Sequence, residues 1–175
     1  YSSSFGLSSR LFAAPIRKHI YAIYGLVRIA DEIVDTYAAA GAREVLDTLE
    51  QETYAAIKRQ YSANPIVHAF AKTAHTYGIT KQLIKPFFES MRMDLLPKTY
   101  TDARYQVYIY GSAEVVGLMC LKVFCGGDEV FYDALAPGAQ RLGAAYQKVN
   151  FLRDVRADYD LLGRTYFPGV AYDQF

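Results

Sequence analysis

Asp31 and Asp35 stand four residues apart, and Asp154 and Asp158 repeat that spacing far along the chain. Four residues is a little over one helical turn, so each pair shares one face of its helix. Like charges one turn apart repel, and burying them is costly unless a cation compensates. Ligands of oxygen alone, with no His or Cys among them, favour a hard cation: Mg²⁺, with Mn²⁺ as the alternative, completed by water and phosphate oxygens. Arg28 and Arg153 lie beside the two pairs in sequence and suit the remaining phosphate charge. The competing reading is a solvated face with ordinary Arg–Asp pairs at helical spacing.

The elements carrying these residues are patterned to match. Arg17, Tyr21, Tyr24, Arg28, Asp31 and Asp35 follow one another at spacings of 4, 3, 4, 3 and 4, a single polar stripe. Ile16, Ile20, Ile23, Leu26, Val27, Ile29, Ile33 and Val34 occupy the remaining sides, so this helix reads as buried with its stripe facing an internal cavity. Gln147, Asn150, Asp154 and Asp158, spaced 3, 4 and 4, form a second stripe, with Val149, Leu152 and Val155 on other sides. A third segment, Tyr110-Gly111-Ser112-Ala113 followed by Val115 to Met119, is rich in small residues and includes Gly117. Small residues weaken a helix and persist where another helix or a ligand approaches closely; either reading fits here. His19, His68 and His75 are isolated, without the spacing of a zinc or di-iron site. Ser2, Ser3 and Ser4 read as a polar tail or as a flap over a phosphate site.

The chain has 175 residues, 52% hydrophobic and 21% charged, which suits one domain with a real core. A formal net charge of +1 gives no electrostatic reason to expect a nucleic-acid binder. Arg28 and Lys122 interrupt the longest apolar stretches, which fall short of the ~20 residues of a membrane span. Cys120 and Cys125 are a poor disulfide framework, and a reducing, cytoplasmic setting is expected. Helical periodicity runs through almost the whole chain. The spacing predicts a helix from Pro15 to about Thr36, another from about Ala42 to Tyr61, and a third opened by Asn64-Pro65 and closed by Gly78. Thr80 caps the next, which reaches Leu96 and should kink or split at Pro86. Thr101-Asp102 starts a long apolar helix ending near Gly126-Gly127, Asp128 begins a short piece, and Pro137 opens the last long helix, ending near Gly163. The expectation is an all-α fold of about seven helices and no sheet.

These motifs resemble the trans-prenyltransferases that join two prenyl diphosphates head to head, the squalene and phytoene synthase family, and within it the bacterial carotenoid-pathway phytoene synthases. The resemblance runs nearly end to end, through Ser2-Ser3-Ser4-Phe5, Asp31-Glu32-Ile33-Val34-Asp35, Met91-Arg92-Met93-Asp94-Leu95, Tyr110 to Gly117, Asn150 to Asp158 and Gly163-Arg164-Thr165-Tyr166-Phe167-Pro168. Glu32 stands where a second Asp is more common, and Arg156-Ala157 where Gly-Glu is usual; neither touches the four spaced aspartates. The resemblance implies an isoprenoid-synthase helical bundle around a central cavity, with the aspartate pairs facing each other across its mouth and binding Mg²⁺-diphosphate. It makes Ser2, Ser4 and Phe5 substrate-binding flap residues, and Arg28, Gln147, Asn150 and Arg153 polar partners beside the aspartates. Tyr24, Tyr110 and Tyr166 become cavity tyrosines, and Gly117 faces the substrate.

The implied activity is condensation of two geranylgeranyl diphosphates to phytoene without NADPH. Squalene or dehydrosqualene synthesis from farnesyl diphosphate is the alternative, and a non-catalytic assembly factor of the same fold is a third reading. The implied partners are prenyl diphosphates, with peripheral membrane contact for product release; oligomeric state is not encoded. Family members continue past Phe175 with helices that close the cavity. Residues 1–175 are therefore expected to be one domain, truncated at its C-terminal end and at its N-terminus. They should expose an apolar patch beside the inner faces of the helices at 15–36, 101–125 and 137–163.

Overall fold

A computed structural model describes residues 9–37, 41–96, 98–162 and 164–168; for 98–99, 157–162 and 164–165 it describes the backbone. A 3₁₀ turn, Ser9–Leu11, leads into α1 (Ala14–Glu32), which continues as a π-helical segment, Ile33–Tyr37. Then come α2 (Ala42–Arg59), α3 (Pro65–Tyr77) and α4 (Lys81–Met93). A second π-helical segment, Tyr110–Glu114, joins α5 (Asp102–Ile109) to α6 (Val115–Cys125), and α7 runs from Glu129 to Leu162. The predicted boundaries follow local chemistry. Asn64 accepts hydrogen bonds from the Ile66 and Val67 amides at 3.0 and 3.3 Å, and Gly78 ends α3 at a left-handed φ of 67°.

Neither proline breaks its helix. Pro86 lies inside α4, and Pro137 lies inside α7, which absorbs the separate short piece expected after Asp128. A proline removes the donor to the carbonyl four residues back, here those of Gln82 and Asp133. Both residues are exposed, so water can hydrate the freed oxygen. Buried Leu83, Ile84, Phe87, Phe88 and Met91 hold α4 to the core across its proline. The chain also contains a minimal sheet where none was expected. Lys98–Thr99 (β1) pairs in parallel with Arg164–Thr165 (β2), in the register Lys98–Arg164 and Thr99–Thr165. Two residues are too few to leave a periodic signal, and the architecture remains all-α.

The main core gathers Ile23, Leu26, Phe70, Phe87, Phe88 and Met119 from α1, α3, α4 and α6. A second, aromatic cluster joins Tyr100, Tyr105, Tyr108, Phe151 and Tyr166 beside the β1–β2 pairing. Arg92 fastens α4 to α2 through Asp47, at 2.7 Å, and Glu50. The continuous helical stretch Asp102–Cys125 is long and apolar enough to cross a bilayer by composition alone, contrary to the reading of interrupted runs. It packs against α4 and α7.

Small residues make that packing possible. A Cβ on Gly111 would lie 2.1 Å from Ser90 Oγ and 2.2 Å from the Pro86 carbonyl oxygen, and one on Gly143 would lie 2.9 Å from the Ala113 oxygen. Replacing Gly111 with Ala is therefore expected to destabilise the fold by ~1–3 kcal/mol or more, because backbone rather than a flexible side chain must yield. Urea unfolding measures it, and an unchanged midpoint would mean that α4 and the π segment are not so tightly apposed.

Candidate active site

A cavity of about 760 Å³ is walled by the end of α1 and its π segment, α4, the α5–α6 stretch and α7. From α5 to α6, the residues facing it are Tyr108, Ser112, Ala113, Val116, Gly117, Cys120, Leu121 and Phe124, one stripe at helical spacing. A Cβ on Gly117 would come within 3.2 Å of the Ala139 oxygen, while Gly143 abuts Ala113, so α6 and α7 run antiparallel. This arrangement sorts the lining by polarity. Asp31, Asp35, Asp94, Gln147, Asn150, Arg153 and Asp154 line one end. Cys120, Leu121, Phe124 and Leu135 line the other. From Leu135 to Asp154 the slot follows α7 for ~28 Å at 1.5 Å per residue. Leu142 and Tyr146 line the slot and are also exposed, and Val149 and Leu152 beside them are exposed, so the wall along α7 is open and apolar.

The acidic groups at the polar end differ in character. Burial, with the nearby Asp35 charge adding to it, pushes the Asp31 carboxyl up to about 7, against the opposing pull of Arg28. Asp154 moves the other way, held below the usual carboxylate range by Arg153, which donates to it at 2.8 and 2.6 Å. A carboxyl raised in the folded state keeps its proton there while the unfolded chain has lost it. Asp31 therefore withdraws stability as pH rises from the ordinary carboxylate value to about 7, and the loss is complete above that. Asp31→Asn should raise the melting temperature at pH 8 and leave it nearly unchanged at pH 4; an equal shift at both would contradict the linkage.

Asp31, Asp35, Asp154, Arg153, Gln147, Asn150, Gly117 and Tyr166 all line this one cavity. The solvated-face reading fails for Asp31, which is half-buried and faces the cavity. Asp35 faces it from the π segment rather than from regular α-helix. Arg28 is within electrostatic reach of Asp31 but pairs with Glu32, one turn along α1. Only the last turns of α1 reach the cavity. The earlier members of its polar stripe serve the preceding turn: Arg17 donates to the Phe12 and Arg10 carbonyls, and Tyr21 accepts from Ser9. Tyr24 is half-buried on α1 and is not among the cavity-lining residues.

Tyr110 is placed away from this cavity: it borders a separate outer depression with Pro86, Glu89, Gln106 and Val107, and Tyr108 takes the inner position. Two residues along a helix is ~200° around it, so the two tyrosines cannot share a face. Ser2, Ser4 and Phe5 lie outside the described residues, as does the Asp158 side chain, one turn beyond Asp154 on α7. Polar and aromatic cavity residues that the sequence reading did not single out for the site include Asp94, Tyr108 and Phe151. Tyr108 could have been found by continuing the stripe Ser112, Val116, Cys120 backwards by one turn. Among the described residues, no three His, Cys, Asp or Glu side chains approach closely enough to hold a metal ion by themselves. Cys120 and Cys125 are free thiols, and burial pushes the Cys120 thiol up to about 12.

The class of protein defined here is an all-α bundle whose aspartates gather at one end of a long apolar slot. The family model described as squalene/phytoene synthase matches residues 1–175, and the chain belongs to that family. The chain is 30% identical over 177 residues to a phytoene synthase of Pseudescherichia vulneris, covering 95% of this chain and 56% of that protein. It is 31% identical over 172 residues to a phytoene synthase of Thermus thermophilus, covering 96% and 55%. A 4,4'-diapophytoene synthase of Staphylococcus haemolyticus is 28% identical over 181 residues, covering 100% of this chain and 61% of that protein. The chain thus spans little more than half the length of these curated relatives.

Proposed function

We propose that the protein containing this chain condenses two geranylgeranyl diphosphates head to head to phytoene, with a divalent cation and without NADPH. The observation that carries the reading is the polarity gradient of the cavity, from the Asp31–Asp35 and Asp154 carboxylates to Cys120, Phe124 and Leu135. Such a slot accepts a diphosphate at one end and an extended isoprenoid chain at the other. The donor set is oxygen alone and fits a hard cation brought in with diphosphate oxygens. The presence of all four spaced aspartates, Asp31, Asp35, Asp154 and Asp158, argues against the assembly-factor reading, because a scaffold has no need of paired acids.

When bound, Mg²⁺ supplies charge neutralisation that makes diphosphate a leaving group. The chain's own residues do the rest. Asp31, Asp35, Asp154 and Asp158 hold the metal-diphosphate head, and Asn150 and Gln147 orient it by hydrogen bonding. Arg153 compensates charge that develops on the departing diphosphate. The faces of Tyr108, Phe151 and Tyr166 offer π-electron density to the allylic cation left by that departure. Attack by the second substrate's double bond, followed by ring closure with loss of one proton, gives a cyclopropylcarbinyl diphosphate; its ionisation, rearrangement and loss of a second proton yield the conjugated triene. Ser2, Ser4 and Phe5 complete the reading as a flap over the head. A hydrocarbon product is insoluble in water, so release at a membrane surface belongs to the same proposal.

The test is incubation of the full-length protein with Mg²⁺ and either geranylgeranyl or farnesyl diphosphate, with and without NADPH. Phytoene independent of NADPH is expected. Squalene formed only with NADPH would contradict the assignment. A triene formed only from farnesyl diphosphate would favour the second reading, which the similarity to a 4,4'-diapophytoene synthase supports.

A further inference from the structure

Asp94 lies just beyond α4, 8% exposed, and belongs to neither aspartate pair. It nevertheless lines the cavity and contributes to the upward shift of Asp31. A buried carboxylate beside other acids is costly unless it is hydrogen-bonded. Its partners come from distant regions of the chain. Tyr108, on α5, donates its hydroxyl to Asp94 Oδ2 at 2.8 Å, and Tyr166, just after β2, donates to Oδ1 at 3.2 Å. The parallel register of β1 with β2 brings the following residues, Tyr100 and Tyr166, to 5.5 Å between ring centres.

The rings tied to Asp94 form one wall. Tyr166 stacks on Phe151 at 4.1 Å and 11°, and Tyr108 packs 5.3 Å from Tyr166 and 5.9 Å from Phe151. Phe151 comes from α7, just under one turn before Asp154, so the wall unites α4, α5, α7 and the segment after β2. A side chain that anchors two phenols by separate oxygens fixes both rings more firmly than packing alone, because each ring loses rotational freedom about its side-chain torsions.

We infer that Asp94 is a positioning residue that locks Tyr108 and Tyr166, with Phe151, into a rigid wall presenting ring faces to the carbocation and closing the polar end of the slot to water. This rests on the condensation proposed above. Without the tether the phenols can turn. A cation then meets water, giving a prenyl alcohol and a proton, or meets a phenol oxygen, giving a tyrosyl prenyl ether with loss of the phenol proton. Either outcome releases diphosphate without forming hydrocarbon.

The experiment measures diphosphate released per hydrocarbon formed by the full-length protein, using geranylgeranyl diphosphate and Mg²⁺. Wild type should release two diphosphates per phytoene. Asp94→Leu, and to a lesser degree the isosteric Asp94→Asn, should raise that ratio several-fold, with geranylgeraniol or a prenyl adduct on the intact protein as the balance. Adding Tyr108→Phe and Tyr166→Phe to Asp94→Leu should remove the adduct, because no phenol oxygen remains. Unfolded molecules make neither product and so do not move the ratio. A folded Asp94→Asn protein with an unchanged ratio overturns the inference alone. Wild type that consumes no prenyl diphosphate overturns the proposed function, and this inference with it.

Discussion

Asp35→Asn or Asp154→Asn in the full-length protein is expected to lower turnover by ~10²–10³ or more, the scale on which losing one charge-organising group reduces rate. The same change should leave the fold intact. Asp35 is exposed at the edge of the cavity, and its charge helps raise the Asp31 carboxyl. Neutralising Asp35 therefore removes a repulsion, and at neutral pH the variant should be as stable as wild type or more so. Asp154 is tied only to its neighbour Arg153 among the hydrogen bonds described for it, an exposed contact of small stabilising effect. Activity lost while stability is kept is the signature of residues retained for a ligand rather than for packing. Steady-state kinetics beside thermal unfolding measures both. Loss of fold in proportion to activity would make the aspartates structural.

Cys120→Phe is expected to shift substrate preference from geranylgeranyl towards farnesyl diphosphate by ~10–100-fold in kcat/KM, the range by which a pocket discriminates hydrocarbon size. Cys120 faces the slot between its polar end and Phe124, and no hydrogen bond described for it would be lost. Gly117 is the less suitable position, although it lines the same cavity. Its Cβ would press on the Ala139 carbonyl of α7 at 3.2 Å, so a large side chain there would push α6 and α7 apart as well as narrow the slot. Competition between the two diphosphates reads the shift. Equal loss for both would mean that the tails do not extend along α6.

What the sequence disclosed depended on the kind of signal. Asp31, Asp35 and Asp154 were legible because residue type and helical spacing are local properties, and the structure brings them to one cavity. The small residues were legible as a run, but their division of labour was not. Gly111 serves backbone contact, whereas Gly117 on α6 and Gly143 on α7 serve both contact and lining, which depends on partners distant in the chain. The choice of Tyr110 over Tyr108 was a matter of helical phase: the motif drew attention to one tyrosine while the cavity stripe passes through the other. Pro86 and Pro137 looked like breaks because the exposure that lets water replace the missing donor is a tertiary property. The β1–β2 pairing and the Asp94 tether join residues 66 and 72 positions apart, and no local pattern reports such contacts.

The most direct measurement is a crystal structure of the full-length protein with Mn²⁺ and an unreactive thiolo-diphosphate analogue of the prenyl substrate, the metal located by its anomalous scattering. The expected result is Mn²⁺ between the diphosphate and the carboxylates of Asp31, Asp35 and Asp154, and a tail running past Gly117 and Cys120 towards Phe124. Metal or diphosphate bound away from these aspartates, or a tail outside the slot, would contradict the proposed condensation site.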